Sequence, residues 1–68
     1  MENMQLAQRI RAFRKLKGLT QQELASRIDV SLAVLGAIER GNRRADDQIL
    51  VKIADELDIS LKELVNRD

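Results

Sequence analysis

The sequence of 68 residues contains no cysteine, histidine, proline, tryptophan or tyrosine, and its only aromatic residue is Phe13. The lack of cysteine excludes a disulfide framework and is compatible with a reducing compartment. Without cysteine and histidine the chain has no obvious metal-ligand set and no nucleophile–base pair, so we expect no metal, no cofactor and no enzymatic activity. A single aromatic residue, needed in the core, also argues against binding of RNA or single strands, whose bases stack on exposed rings.

Long apolar stretches are also missing from the sequence. No run approaches the roughly 18 apolar residues of a membrane span, and the N-terminal stretch has no apolar segment of the secretory type. We therefore expect a soluble, cytoplasmic protein without a membrane contact. A chain of this length forms one domain, and its core supplies only about 3 to 5 kcal/mol of stability, so a second copy or a partner would help to stabilise it.

The net charge is only +1, but the charges are unevenly distributed along the chain. Residues 1 to 45 carry nine Lys/Arg and four Asp/Glu (+5), whereas residues 46 to 68 carry three and seven (−4), and the two sums give +1. A basic half can face a polyanion while the acidic half points away. The equally simple alternative is a solvated charged surface on a small helical protein.

Apolar residues recur at helical spacing along the whole chain, which predicts an all-α fold. The predicted apolar face of the first helix comprises Leu6, Ile10, Phe13 and either Leu16 or the stem of Lys17. Gly18 is suited to the left-handed conformation that ends a helix. The other predicted helices are a short one after Thr20, then 31–40, about 46–57 and 60–66.

The predicted helix ends carry recognisable local signals. Thr20 and Glu23, and likewise Ser60 and Glu63, have the spacing of a capping box, in which side chains and backbone amides satisfy each other. Segments 25–31 and 54–60 both read A-x-x-apolar-D-apolar-S.

In that repeat the aspartates Asp29 and Asp58 can occupy a left-handed turn, and Ser31 and Ser60 can cap the next helix. The repeat therefore predicts two helix–turn–helix corners with the same turn chemistry.

Segment 21–39 gives two short helices joined by about four residues, an arrangement in which the second helix can enter the major groove of DNA. Several linked motifs at the expected spacing resemble the Cro/C1-type (Xre family) helix-turn-helix repressors, over about residues 6 to 65. The matching residues are Leu19-Thr20-Gln21-Gln22-Glu23-Leu24-Ala25, Val30-Ser31, Leu35, Ile38-Glu39-Arg40-Gly41, Leu50, Ile53-Ala54, Leu57, Ile59-Ser60 and Glu63-Leu64.

The resemblance implies a compact five-helix, lambda-repressor-like DNA-binding domain over residues 5–65, with its helix-turn-helix motif at about 20–40. It further implies a small transcriptional regulator of the repressor type that binds double-stranded DNA as a homodimer, with helix 31–40 in the major groove. Arg14 and Glu39 match positions that often form an internal ion pair in the family. The positions that match DNA-contacting ones are Gln21, Ser31, Leu32, Ala33 and Ala37.

The outward face of helix 31–40 is unusual for a DNA reader. Leu35 and Ile38 belong to the core, and the positions left outside are Leu32, Ala33, Gly36 and Ala37. None has a polar side chain, although base edges are usually read by Arg, Asn or Gln. One interpretation is contact with thymine methyl groups, with phosphate contacts and DNA shape supplying most of the affinity.

Two further interpretations of this face stay open. An exposed apolar patch rimmed by charge often marks a protein-binding site, and the chain would then be a protein–protein interaction module with a degenerate helix-turn-helix, acting as a co-regulator or antirepressor. The face could also be covered by a dimer partner or belong to a scaffold without a ligand.

Polar and basic residues after helix 31–40 are candidates for phosphate contacts, namely Arg40, Asn42, Arg43 and Arg44. They lie in a loop with few apolar constraints, and the alternative is that they are solvated loop charges. The helix start at Thr20 presents free amides to a further phosphate. Weaker candidates on the first helix are Arg9, Arg11, Lys15 and Lys17.

Leu61 and Val65 are spaced i, i+4 on the last helix beside the predicted core residue Leu64. They are candidates for a self-complementary dimer patch. The alternative is that both pack against the first helix.

Overall fold

The computed structural model describes the backbone of residues 2–65 and the side chains of residues 4–65. Within this range the chain is helical, with no strand, and none of the helices is both long and apolar enough to cross a membrane. The predicted all-α fold of five helices is confirmed; the predicted end of the last helix at Asn66 lies outside the described residues. The helices are α1 (Glu2–Leu16), α2 (Gln21–Arg27), α3 (Leu32–Glu39), α4 (Asp47–Glu56) and α5 (Leu61–Val65).

A single core holds the five helices together. α1 packs against α3 and α5, α2 packs against α3 and α4, and α4 packs against α5. Each helix contributes residues from its predicted apolar stripe, and burying one large aliphatic side chain stabilises the fold by about 1.5 to 3 kcal/mol. The largest fully buried apolar side chains are Ile10, Leu24, Ile28, Leu35, Ile53, Leu57 and Leu64.

The alternative that placed Leu16 on the apolar face of α1 is wrong, because this side chain is 81% exposed. At 3.6 residues per turn, Leu16 lies about 120° around the helix from Ile10, which is outside the stripe that faces the core. Gly18 adopts a left-handed φ of 72°, and the chain then turns back so that Leu19 packs against the core.

The two repeated corners have the same conformation, as the sequence predicts. Asp29 and Asp58 have φ values of 61° and 59°. In each corner the amide that follows the aspartate donates to a carbonyl five residues earlier, from Val30 to Ala25 and from Ile59 to Ala54, both at 3.0 Å. These bonds satisfy carbonyls that the ends of α2 and α4 would otherwise leave without a partner.

Serine hydroxyls cap the N-termini of the helices that follow these corners. Ser31 Oγ accepts from the Val34 amide at 3.1 Å, and Ser60 Oγ accepts from the Glu63 amide at 3.0 Å. The capping box of α2 is complete, because the side chains of Thr20 and Glu23 each accept a hydrogen bond from the backbone amide of the other residue. The second predicted capping box is formed on the serine side alone, since between the described residues Ser60 and Glu63 only the bond to the Ser60 hydroxyl is present. The local signals in the sequence therefore define the starts of α2, α3 and α5.

The left-handed turn at Asp29 gives a test of the corner chemistry. We expect Asp29→Ala to be about 1 kcal/mol less stable than Asp29→Gly, because alanine is strained at positive φ and glycine is not. Urea unfolding followed by circular dichroism measures the difference. Asp55→Ala, an exposed position inside α4, is the control and should not be destabilising. Equal stability of the two Asp29 variants would contradict this account of the turn.

Candidate nucleic-acid interface

α2 and α3 form the two-helix unit of the candidate interface, and local interactions define both ends of α2. At its start, Glu23 accepts from the Thr20 amide at 2.8 Å, and Thr20 Oγ1 accepts from the Glu23 amide at 3.0 Å. The pKa of Glu23 is lowered below its ordinary value, mainly by the hydrogen bond from the Thr20 amide and secondly by the interaction with the Thr20 hydroxyl. The positive charge of Arg27 contributes further in the same direction. At its end, the Asp29 corner leads directly into α3.

A buried ion pair anchors α3 to α1. Arg14 Nε lies 2.9 Å from Glu39 Oε2, and Arg14 Nη2 lies 3.1 Å from Glu39 Oε1. Arg14 Nη1 donates to the Leu19 carbonyl at 2.9 Å, so the guanidinium also holds the loop before α2. Glu39 is only 1% exposed, and two-point contact of this kind fixes geometry as well as contributing energy. The structure thus places Arg14 and Glu39 as the resemblance implied.

Gln21 is a third member of this network, which the sequence did not indicate. Its Nε2 donates to Glu39 Oε1 at 3.1 Å. A carboxylate can only accept hydrogen bonds, so the amide nitrogen must face Glu39 and the amide oxygen must face away from it. Gln21 is a DNA-contacting candidate by resemblance; in the structure it is half-buried and held by α3.

The candidate reading face of α3 is partly as expected. Leu32 is 46% exposed, Ala33 is exposed and Ala37 is half-buried. The prediction that Gly36 lies open on this face is wrong, because Gly36 is buried. The side chains of Arg40 and Gln21 approach its backbone and cover it.

The basic loop after α3 brings four of the predicted residues together: Arg40, Asn42, Arg43 and Arg44 are all exposed. The expectation of few apolar constraints is wrong for the end of this loop, since Ala45 is only 6% exposed and belongs to the core. At the start of the loop the Asn42 amide donates to the Ala37 carbonyl at 2.9 Å. The loop therefore presents its basic side chains from a backbone that is held at both ends.

Comparison with known proteins identifies the family. Residues 10–64 match the family model described as HTH_3, helix-turn-helix. The chain belongs to this family of Cro/C1-type regulators. The chain is also 54% identical over 56 residues, 82% of its length and 81% of the relative's, to a Bacillus subtilis (strain 168) protein, the "Uncharacterized HTH-type transcriptional regulator YazB". The proteins of this family are transcriptional regulators rather than enzymes.

Solved structures of helix-turn-helix regulators have the same fold. The clp gene regulator ClgR from Corynebacterium glutamicum superposes with a TM-score of 0.93 at 29% identity, covering 97% of this chain and 70% of that one. The restriction-modification controller protein C.AhdI from Aeromonas hydrophila superposes with a TM-score of 0.87 at 35% identity, covering 91% of this chain and 94% of that one. A chain of a SinR protein/SinI protein complex superposes with a TM-score of 0.86 at 35% identity, covering 91% of this chain and 61% of that one. The lambda-repressor-like fold class is therefore confirmed for this helix-turn-helix domain.

A second basic residue of α1, besides Arg14, has a structural role in this helix-turn-helix domain and is not free for a phosphate. Arg9, a weaker DNA candidate, donates from Nε to the Leu64 carbonyl at 2.9 Å and from Nη2 to the Glu63 carbonyl. Its guanidinium also lies 5.5 Å from the centre of the Phe13 ring, a cation–π distance. Arg9 therefore caps the end of α5 from α1. The other weaker candidates, Arg11, Lys15 and Lys17, are exposed.

The two candidate dimer residues of the regulator are placed differently. Leu61 is 39% exposed, whereas Val65 is half-buried and packs against the core. α5 contacts both α1 and α4. Val65 thus fits the alternative that it packs inside the monomer. Leu61 stays a candidate for a dimer contact.

Proposed function

We propose that this regulator binds double-stranded DNA with α3 in the major groove and acts as a small transcriptional repressor in the cytoplasm, as a homodimer. The observation that carries the proposal is the cluster of Arg40, Arg43 and Arg44 directly behind α3. Across the side chains of residues 4–65, none of the three guanidinium groups forms an ion pair. Three unpaired cations behind a helix whose first residues, Leu32 and Ala33, are exposed suit the phosphates that flank a major groove.

The distribution of charge supports the same orientation. The acidic residues lie mainly in α4, α5 and the turns around them, and the positive ones lie mainly before residue 46. An approach to DNA with the basic half of the chain leading would favour one orientation of encounter.

Phosphate contacts position a protein on DNA, while contacts to base edges give specificity. On α3 the exposed side chains available for bases are Leu32 and Ala33, with the half-buried Ala37 beside them. Apolar side chains of this kind contact the methyl group of thymine. We therefore expect a modest preference for A·T-containing sites.

Selection from random duplex DNA at several salt concentrations tests the proposal. We expect binding at low salt, a log-linear loss of affinity with salt of about 0.9 per neutralised phosphate, and enrichment of sites with thymine at fixed positions. A duplex without A·T pairs serves as the control ligand and should bind more weakly than the selected duplex at the same salt concentration. Absence of binding at low salt would overturn the proposal.

A second candidate function rests on the exposure of Leu32. An exposed apolar side chain beside the small, exposed Ala33 can also belong to a protein-binding surface. One structural neighbour is a complex of two proteins, SinR and SinI. In this second function the chain is a co-regulator or antirepressor, and retention of a protein partner by a chain that fails to bind duplex DNA would favour it.

A further inference from the structure

Gly36 stands out because it is a buried glycine inside a helix, on the side that faces away from the core. A Cβ atom at this position would lie 3.2 Å from Arg40 Nη1 and 3.7 Å from Gln21 Oε1. Both neighbours are polar ends of side chains. The space that a side chain would take at position 36 is therefore already occupied by two hydrogen-bonding groups.

The geometry of α3 explains why Arg40 lies there. Side chains on a helix lean towards its N-terminus, so a residue covers the position four residues earlier. Arg40 is the C-cap of α3 and keeps helical backbone angles of −93° and −2°. Its side chain therefore runs back over Gly36, and the missing Cβ lets the guanidinium approach the helix backbone.

The other neighbour is fixed by the buried network. Gln21 Nε2 donates to Glu39, which is itself held by two nitrogens of Arg14. The Gln21 amide oxygen is consequently turned towards Gly36. The Arg40 guanidinium thus lies beside the Gly36 backbone and near the Gln21 side chain. It forms no ion pair with any described carboxylate.

We propose that Gly36 is a positioning residue for DNA binding: its missing Cβ leaves room for the Arg40 guanidinium to lie against the flank of α3, next to Gln21, where it can donate to a phosphate oxygen of the duplex. This inference rests on the proposed function. Because this position of the guanidinium is accessible before DNA binds, less rearrangement of the side chain is needed when it reaches the phosphate. A methyl group at position 36 displaces the guanidinium and removes that advantage.

The Gly36→Ala variant separates this role from a structural one. The close contact is with the far end of a flexible, exposed side chain, which can move away. Alanine is the better helix former, so we expect the melting temperature to rise by about 4 °C. At the same time we expect affinity for duplex DNA to fall about fivefold, a size typical of coupled neighbours. A purely structural role would move stability and affinity in the same direction.

A double-mutant cycle tests whether the effect passes through Arg40. The probes are mixed-sequence duplex DNA at low salt and the duplex recovered by selection. With Arg40→Ala in place, Gly36→Ala should no longer weaken binding, whereas with Arg43→Ala, the matched control in the same loop, the fivefold loss should persist. Arg40→Ala should also lower the salt slope by about 0.9 on both probes, as expected for a phosphate contact.

The outcomes distinguish this inference from the proposed function. If the parent chain binds neither probe, the proposed function fails and this inference fails with it. If the parent binds but Gly36→Ala leaves affinity unchanged, or weakens it equally with and without Arg40, only the positioning role is overturned. If Arg40→Ala changes the sequence preference without changing the salt slope, the phosphate contact is overturned.

Discussion

The Arg14→Met variant is expected to be largely unfolded at room temperature. Removal of one partner from a buried ion pair leaves an uncompensated charge and costs about 3 to 5 kcal/mol, which equals the whole stability expected of a core of this size. Here the charge left without a counter-ion is that of Glu39, at 1% exposure, which keeps only the bond from the neutral Gln21 amide, and the bond from Arg14 to the Leu19 carbonyl is removed as well. Circular dichroism and urea unfolding provide the measurement.

Two comparisons make this result interpretable. Arg11→Met removes the same charge from an exposed position of α1 and should leave the helical signal and the unfolding midpoint nearly unchanged. The double variant Arg14→Met/Glu39→Met removes both charges and should recover most of the stability, because an apolar pair of similar volume often replaces a buried ion pair without loss. A stable Arg14→Met protein would contradict the assigned role of the pair.

The second large effect is expected at the basic loop. Neutralisation of Arg40, Arg43 and Arg44 together by glutamine should leave the fold intact, because all three side chains are exposed and contribute little to stability. We expect affinity for duplex DNA to fall about a hundredfold at physiological salt and the salt slope to decrease by about 2.7, or 0.9 for each phosphate that is no longer neutralised. Titration of fluorescent duplex DNA at several salt concentrations measures both quantities.

The control for this triple variant changes the same number of charges elsewhere. Arg27, Lys52 and Lys62 are exposed on α2, α4 and α5, and the ion pair of Arg27 with Glu56 is long, at 3.7 Å. Their replacement by glutamine should reduce affinity only slightly, through net charge alone. An equal loss in the two triple variants would show that total charge, and not the loop behind α3, determines binding.

The helix ends could be predicted from the sequence because their interactions are local. Thr20 and Glu23 are three residues apart, and each aspartate corner is closed by a bond within one short segment. Such motifs have the same geometry wherever the sequence recurs, as Asp29 and Asp58 show with φ values within 2° of each other. The apolar stripes predicted the core for the same reason, since helical spacing alone selects one face.

The interactions that the sequence did not indicate connect distant residues through atoms without a sequence signature. Arg9 caps α5 by donating to backbone carbonyls, more than 50 residues away along the chain, and every residue has a carbonyl. Gln21 joins the ion pair across 18 residues. Helical spacing places Gly36 on the open face because its own position points outward; its burial depends on where Gln21 and Arg40 extend.

The resemblance was needed for the candidate site itself. Composition and charge fitted a polyanion-binding surface and a solvated charged surface equally well, and the outward face of α3 contains no Arg, Asn or Gln that physical reasoning alone would select as a base reader. The residues proposed to contact bases, such as Leu32 and Ala33, therefore stay predictions until duplex binding is measured. Their exposure in the structure is compatible with that role.

The network around Glu39 has a thermodynamic consequence. The Glu39 carboxylate binds α3 to both α1 and α2. The backbone of α3 is therefore already ordered before a ligand docks on this helix. Association would then carry only a small penalty for ordering main chain, and its heat-capacity change would report the apolar surface covered at the interface rather than refolding of the domain.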